Sequence, residues 1–124
     1  MPLKKRILIV DDDLGVRIVI SQLMEALGHE AVGLESGDSA LNFFKEQSAD
    51  LIILDINLPG MDGWQLLKTL RKDTKTKHTP VIMLSGNATP VIERMSKEFG
   101  ANACMLKPFS NDDLTKAATK FLYK

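Results

Sequence analysis

Cysteine is nearly absent: the chain holds one, Cys104, so no internal disulfide and no zinc site can form, and a reducing, cytoplasmic setting is the natural expectation. Charge of one sign is absent too. Sixteen basic residues balance sixteen acidic ones, so bulk electrostatics ask for neither nucleic acid nor an anionic membrane. No apolar run approaches the ~18 to 20 residues of a membrane span, and Met1 to Arg6 lead into a strand-like run without a signal-peptide cleavage pattern. Repeats, low-complexity tracts and a glycine-rich first turn are also missing. The turn that would bind a flavin or nucleotide reads Asp11-Asp12-Asp13, which disfavours both. The two histidines, His29 and His78, fall in expected turns without partner residues and read as solvated. With 44% hydrophobic and 26% charged residues in 124, the remaining reading is one globular domain over residues 1–124.

Four uninterrupted apolar tetrads punctuate the chain: Ile7 to Val10, Leu51 to Leu54, Val81 to Leu84 and Ala103 to Leu106. Short apolar runs without polar alternation are the pattern of strands buried on both faces, hence of a parallel sheet. A fifth, more polar strand at Glu30 to Leu34 suits an edge. Helical patterns separate them. Val16, Val19, Ile20, Leu23, Met24 and Leu27 form a stripe closed by Gly28. Thr89-Pro90 opens a helix carrying Val91, Ile92 and Met95 and ending at Gly100. Ser110 caps a last helix with Leu114, Ala117, Ala118, Phe121 and Leu122 on one face. Weaker patterns mark helices near residues 37–45 and 64–72. Five β-α repeats with right-handed crossovers predict an α/β, three-layer, doubly wound five-stranded parallel sheet in flavodoxin-like order 2-1-3-4-5. Arg71, Lys72, Lys75 and Lys77, with Asp73 among them, read as a solvated polar loop rather than a nucleic-acid patch.

The residues directly after the four tetrads are Asp11, Asp55, Ser85 and Lys107. Parallel strands share one C-terminal edge, so two acids, a hydroxyl and an ammonium should converge there. Of the three consecutive aspartates, Asp13 suffices as an N-cap, which leaves Asp11 and Asp12 without a structural duty. With Asp55 they would crowd negative charge that a cation must offset, and a few hard oxygens with room for water suit Mg²⁺. A carboxylate facing a lysine, a hydroxyl and backbone N–H groups near residues 56, 57 and 86 has the parts for phosphoryl transfer, with Asp55 as nucleophile. Pro59-Gly60 and Asp62-Gly63 read as ordinary turn chemistry.

This ordered set, from Ile7-Leu8-Ile9-Val10-Asp11-Asp12 through Leu54-Asp55-Ile56-Asn57-Leu58-Pro59-Gly60 to Leu84-Ser85-Gly86 and Leu106-Lys107-Pro108-Phe109, resembles the CheY-like receiver domains of response regulators in two-component signalling. The resemblance implies a phosphoacceptor, not a classical enzyme, with Asp55 taking the phosphoryl group and Asp11, Asp12, Asp55 and the Asn57 backbone carbonyl holding Mg²⁺. It further implies that Ser85 and Lys107 engage the phosphoryl oxygens, that the Lys107-Pro108 bond is cis, and that the donor is a histidine kinase or histidine phosphotransfer protein. The few residues after Lys107 suit one helix and no DNA-binding domain, so the expected output is contact with a downstream protein or onward phosphotransfer. Leu14, Ile18, Pro108 and Phe109 could offer the donor an apolar patch.

One position departs from the pattern. Cys104 stands where receivers commonly carry Tyr or Phe that turns inward on activation, and its side chain is too small for that movement. It reads as a small hydrophobe. The departure leaves a constitutive adaptor with a vestigial site as the alternative. A haloacid-dehalogenase-type phosphatase expects a second acid two residues after its nucleophile, where Asn57 stands.

Overall fold

The computed structural model describes residues 4–87 and 89–123. Five strands and five helices alternate along the chain: β1 (Arg6–Val10), α1 (Leu14–Ala26), β2 (Glu30–Leu34), α2 (Gly37–Phe43), β3 (Leu51–Asp55), α3 (Gly63–Lys72), β4 (Val81–Ser85), α4 (Pro90–Glu98), β5 (Ala103–Leu106) and α5 (Asn111–Leu122). All pairings are parallel, in the order β2-β1-β3-β4-β5, the expected doubly wound arrangement. Strand periodicity splits the core in two. Leu8, Val10, Ile52, Leu54, Val81 and Met83 pack with Ala40 and Phe44 near α2 and with Leu66, Leu67 and Leu70 of α3. Ile7, Ile9, Ile53, Ile82 and Leu84 meet Ile20 and Met24 of α1 and Leu114, Ala118 and Leu122 of α5. Each fully buried Ile or Leu contributes about 1.5–3 kcal/mol of transfer free energy, so the three central strands anchor the sheet whose rim carries the site.

The helix ends are set by the residues that the sequence marks. Asp13, Thr89 and Ser110 cap α1, α4 and α5. α1 stops in a Schellman turn: Gly28 sits at φ 90 and donates to the Glu25 carbonyl, and His29 donates to that of Met24.

Several apolar assignments shift. β5 is not buried on both faces but forms the second edge of the sheet, and Leu106 is 45% exposed; among the described residues no strand lies beyond it. Val19 and Leu27 are exposed at the shoulder and C-cap of α1. On α4 the inward stripe is Ile92, Ser96 and Phe99, while Val91 is 55% exposed. Spacing alone did not reveal this stripe because its central member is a serine, whose hydroxyl is satisfied by donating to the Ile92 carbonyl at 2.9 Å.

Arg71 is also not part of a solvated loop. It is half-buried and donates to the carbonyls of Gly100 (2.8 Å) and Thr76 (2.9 Å) and to Asn102 Oδ1 (3.1 Å). Lys72, Lys75 and Lys77 are exposed as expected.

His78 is exposed, but His29 is 5% exposed, which corrects the solvated reading. His29 follows the α1 turn glycine and directly precedes β2. Its Nδ1 accepts the Lys5 N–H at 3.1 Å, and Nε2 lies 2.8 Å from the Tyr123 hydroxyl. An accepting Nδ1 requires the neutral ring, with Nε2–H donating to Tyr123. Burial, then the nearby Lys5, lowers the imidazole pKa from 6.5, against a smaller opposing effect of Asp50. The folded protein thus refuses a proton that the unfolded chain accepts, and stability is full above about pH 6.5 and falls as pH drops toward the folded-state value. His29→Leu should flatten that slope in urea titrations run at several pH values and cost about 1 kcal/mol at pH 8 through the lost hydrogen bonds. An unchanged slope would remove His29 as its source.

Candidate functional site

Sheet hydrogen bonding extends one step past the strand ends and fixes the rim. Asp11 donates its N–H to the Leu34 carbonyl (3.1 Å), Ile56 to that of Leu84 (3.0 Å) and Lys107 to that of Ser85 (2.7 Å). Residues far apart in sequence therefore share one edge, as the tetrad spacing implied. Lys107 Nζ sits between two carboxylates, 2.8 Å from Asp11 Oδ2 and 3.3 Å from Asp55 Oδ2. Asp12, exposed, completes a group in which one carboxylate oxygen from each of Asp11, Asp12 and Asp55 lies within 4.8 Å of the others. The Lys107-Pro108 bond is cis.

The carboxylate oxygens have divided duties. Asp11 Oδ1 accepts the Asp13 N–H at 2.9 Å and Asp55 Oδ1 that of Asn57 at 3.1 Å. Both Oδ2 atoms face the lysine. Asp11 is fully buried, and its Oδ2 has no hydrogen-bond donor of suitable geometry among the described residues; Lys107 reaches it as a close ion pair, off the hydrogen-bonding direction. A buried anionic oxygen served by one off-axis ammonium, beside two further carboxylates, fits a small hard divalent cation.

The titration behaviour follows from this crowding. Burial raises the Asp55 pKa above its ordinary value, and the Asp11 charge adds to that; the Asn57 N–H and Lys107 pull the other way without reversing it. For Lys107, burial alone would lower the pKa, but contact with Asp11 and Asp55 outweighs it and the ammonium is held more tightly than usual. The pocket is thus short of positive charge.

Ser85 ends β4 and is buried, but its hydroxyl serves its own loop, donating to the Asn87 carbonyl (2.7 Å) and accepting the Asn87 N–H (3.1 Å). It reaches the expected edge without touching the acids. Asn57 is exposed at the mouth. Cys104 is half-buried against the core beside a cavity of about 180 Å³, which Ser96, Ala101 and Asn102 also line.

Three residues here escape the sequence reading. Asp62-Gly63 is not merely a turn: Asp62 is the N-cap of α3 in a capping box with Gln65, and Gly63 is its first residue. A Cβ on Gly63 would run into the Asp55 carbonyl oxygen and lie 2.7 Å from Ile56 Cα, so the glycine permits α3 to start against the strand that carries Asp55. Gly60, at φ 73, is the true turn glycine. Arg17 of α1 donates through Nη1 to the Asp11 carbonyl at 2.7 Å. An arginine near the start of the helix after the acidic turn was the available signal, but only the fold shows which carbonyl it meets.

A family model of the response regulator receiver domain matches residues 7–119, and the chain belongs to that family. It is a receiver domain of the two-component type, a signalling module rather than a classical enzyme. Sporulation initiation phosphotransferase F of Bacillus subtilis is 32% identical over 120 residues, covering 97% of this chain and 95% of that protein. The sensory/regulatory protein RpfC of Xanthomonas campestris is 34% identical over 105 residues, which span only 14% of its length, and the phosphate regulon regulatory protein PhoB of Escherichia coli is 36% identical over 48% of its length. In structure, chemotaxis response regulator CheY4 of Vibrio cholerae matches with a TM-score of 0.91 at 30% identity, covering 97% of this chain and 100% of that one. Among the described residues no helix is long and apolar enough to cross a membrane.

Proposed function

We propose that Asp55 accepts a phosphoryl group from a phosphohistidine on a histidine kinase or phosphotransfer protein, and that the resulting change in charge is read by a downstream protein. The observation that carries this reading is the placement of Lys107 Nζ against Asp11 Oδ2 and Asp55 Oδ2 at the open sheet edge. Asp55 Oδ2 attacks phosphorus, the donor P–N bond breaks, and the electron pair leaves with the imidazole nitrogen. An ionised carboxylate needs no general base for this. Lys107 neutralises one phosphoryl oxygen, and the Asn57 N–H, which already meets Asp55 Oδ1 at 3.1 Å, turns to another; the Ile56 N–H, expected to join it, is committed to the Leu84 carbonyl. The carboxylates of Asp11, Asp12 and Asp55 with the Asn57 carbonyl would hold Mg²⁺, which when bound supplies the positive charge that the pocket lacks.

Phosphorylation adds about two negative charges and new acceptor oxygens. Ser85 then exchanges its hydrogen bonds with Asn87 for the phosphoryl group and draws the start of α4 with it. This helix is suited to move, since Ser96 is its one fully buried residue. Cys104 provides no aromatic ring to follow, so the signal leaves through the loop after β4 and through α4. A constitutive adaptor draws support only from Cys104, whereas the acid and lysine geometry it would not require is intact.

Two experiments address these assignments. Millimolar Mg²⁺ should raise the thermal midpoint by mass action, and Asp12→Ala should abolish the response; an unresponsive wild type would contradict the metal assignment. Leu14 (61% exposed) and Ile18 (46% exposed) on α1 are open for a donor helix to cover, next to the groove in which Val16 and Val19 face Pro108 and Phe109. Ile18→Ala should slow transfer from a phosphohistidine donor and leave labelling by acetyl phosphate unchanged; equal slowing of both would refute the docking role.

A further inference from the structure

We infer that Arg17, seated on the bare α-carbon of Gly33, is a positioning residue that aims Oδ2 of Asp11, the oxygen paired with Lys107, into the acidic pocket; this rests on the reading of that pocket as a Mg²⁺ site. The Arg17 stem crosses the edge strand β2 where that strand has no side chain. A Cβ on Gly33 would lie 3.3 Å from Arg17 Cδ and 3.6 Å from its Cβ. From this groove the guanidinium reaches the Asp11 carbonyl at 2.7 Å. Asp11 is then hydrogen-bonded at every polar atom but one. Its N–H is tied to the Leu34 carbonyl, its carbonyl to Arg17 and its Oδ1 to the Asp13 N–H. The remaining atom is Oδ2, the buried oxygen that has no hydrogen-bond donor and meets only the Lys107 ammonium, as an ion pair at 2.8 Å. With the peptide units on both sides fixed, its direction is set before any cation arrives, which lowers the cost of ordering the site.

Arg17 brings two effects of opposite sign, and this makes the inference testable. As a nearby positive charge it repels a cation, so its removal should tighten Mg²⁺ binding if charge were all that mattered. As a brace it favours binding, so its removal should weaken it. Gly33→Val separates the two, because it alters no charge and suits an exposed strand position, yet displaces the arginine stem.

The test is calorimetric titration of Mg²⁺ into the wild type, Arg17→Met, Arg17→Lys, Gly33→Val and the Arg17→Met/Gly33→Val double variant, each checked for folding by circular dichroism. Arg17→Met and Gly33→Val should each weaken Mg²⁺ roughly tenfold, the range for removing a group that orients a ligand. The double variant should be no weaker than either single one, because both remove the same contact. Arg17→Lys, which keeps a donor on a long stem, should recover part of the affinity. Wild-type binding with unchanged or tighter binding by Arg17→Met, or additive losses in the double variant, would overturn the role of Arg17 alone. A wild type that takes up no Mg²⁺ would overturn the metal reading of the pocket and this inference with it.

Discussion

Gly63→Ala should lower the thermal midpoint by roughly 10 °C or more and cripple phosphoryl labelling, although it adds one methyl group at a position with no unusual backbone angle. The added Cβ would run into the Asp55 carbonyl oxygen and lie 2.9 Å from that of Ile56. A flexible side chain could swing away, but both of these atoms belong to the backbone. The carbonyl of Ile56 also accepts the Gly63 N–H at 2.8 Å, so the approach is enforced from both sides. Overpacking commonly costs about 1–3 kcal/mol when side chains can adjust; a clash with the chain leaving β3 belongs at or above the top of that range, and each kcal/mol shifts the midpoint of a domain this size by about 4 °C. Relief can come only from moving α3 or the end of β3, and the second displaces Asp55. Thermal melts and acetyl phosphate labelling of Gly63→Ala check this; wild-type values for both would show that the contact is not tight in solution.

Lys107→Met should have the other large effect. Its ammonium is the only cation within ion-pair distance of Asp11 and Asp55 among the described residues. Breaking a buried ion pair costs about 3–5 kcal/mol when the remaining charge is stranded, and the 24% exposure of the lysine side chain places this case toward the lower end. The loss depends on pH. Without Lys107 the Asp55 carboxyl loses a neighbour that lowers its pKa, and burial and Asp11 push it further up. A carboxyl with a raised folded-state pKa binds its proton more tightly folded than unfolded, so the variant should be most stable in acid and lose stability as pH rises from about 3.8 through the folded-state value. Labelling with Mg²⁺ should slow by ~100-fold or more, as for removal of other preorganised groups that meet developing charge. Urea titrations across pH and single-turnover labelling separate the two effects. A variant with wild-type stability at neutral pH and a wild-type rate would refute the role given to Lys107.

The rim of the site was legible because the signal is topological. Four apolar tetrads end in polar residues, and a parallel sheet gathers those ends whatever lies between them. Lys107 therefore meets Asp11 and Asp55 across a separation that no local pattern bridges. What escaped notice depends on which atoms approach closely. Gly63 looks like any glycine after an aspartate until α3 is set against β3, and Arg17 looks like an ordinary helix residue until Gly33 leaves room for it. Burial of His29 is not legible in the sequence because its partners, the Lys5 N–H and the Tyr123 hydroxyl, come from the two ends of the chain. Ser96 was passed over because an inward stripe is recognised by apolar residues, and a hydroxyl that bonds its own helix is equally able to face the core.

Incubation of the purified protein with acetyl phosphate, with and without Mg²⁺, followed by intact mass and peptide mapping, tests most directly whether this rim is a phosphoacceptor site. One phosphoryl group should appear, on Asp55, only when Mg²⁺ is supplied, and Asp55→Asn should take up none. A protein that stays unmodified with Mg²⁺ present, or that is labelled on another residue, would contradict the assignment.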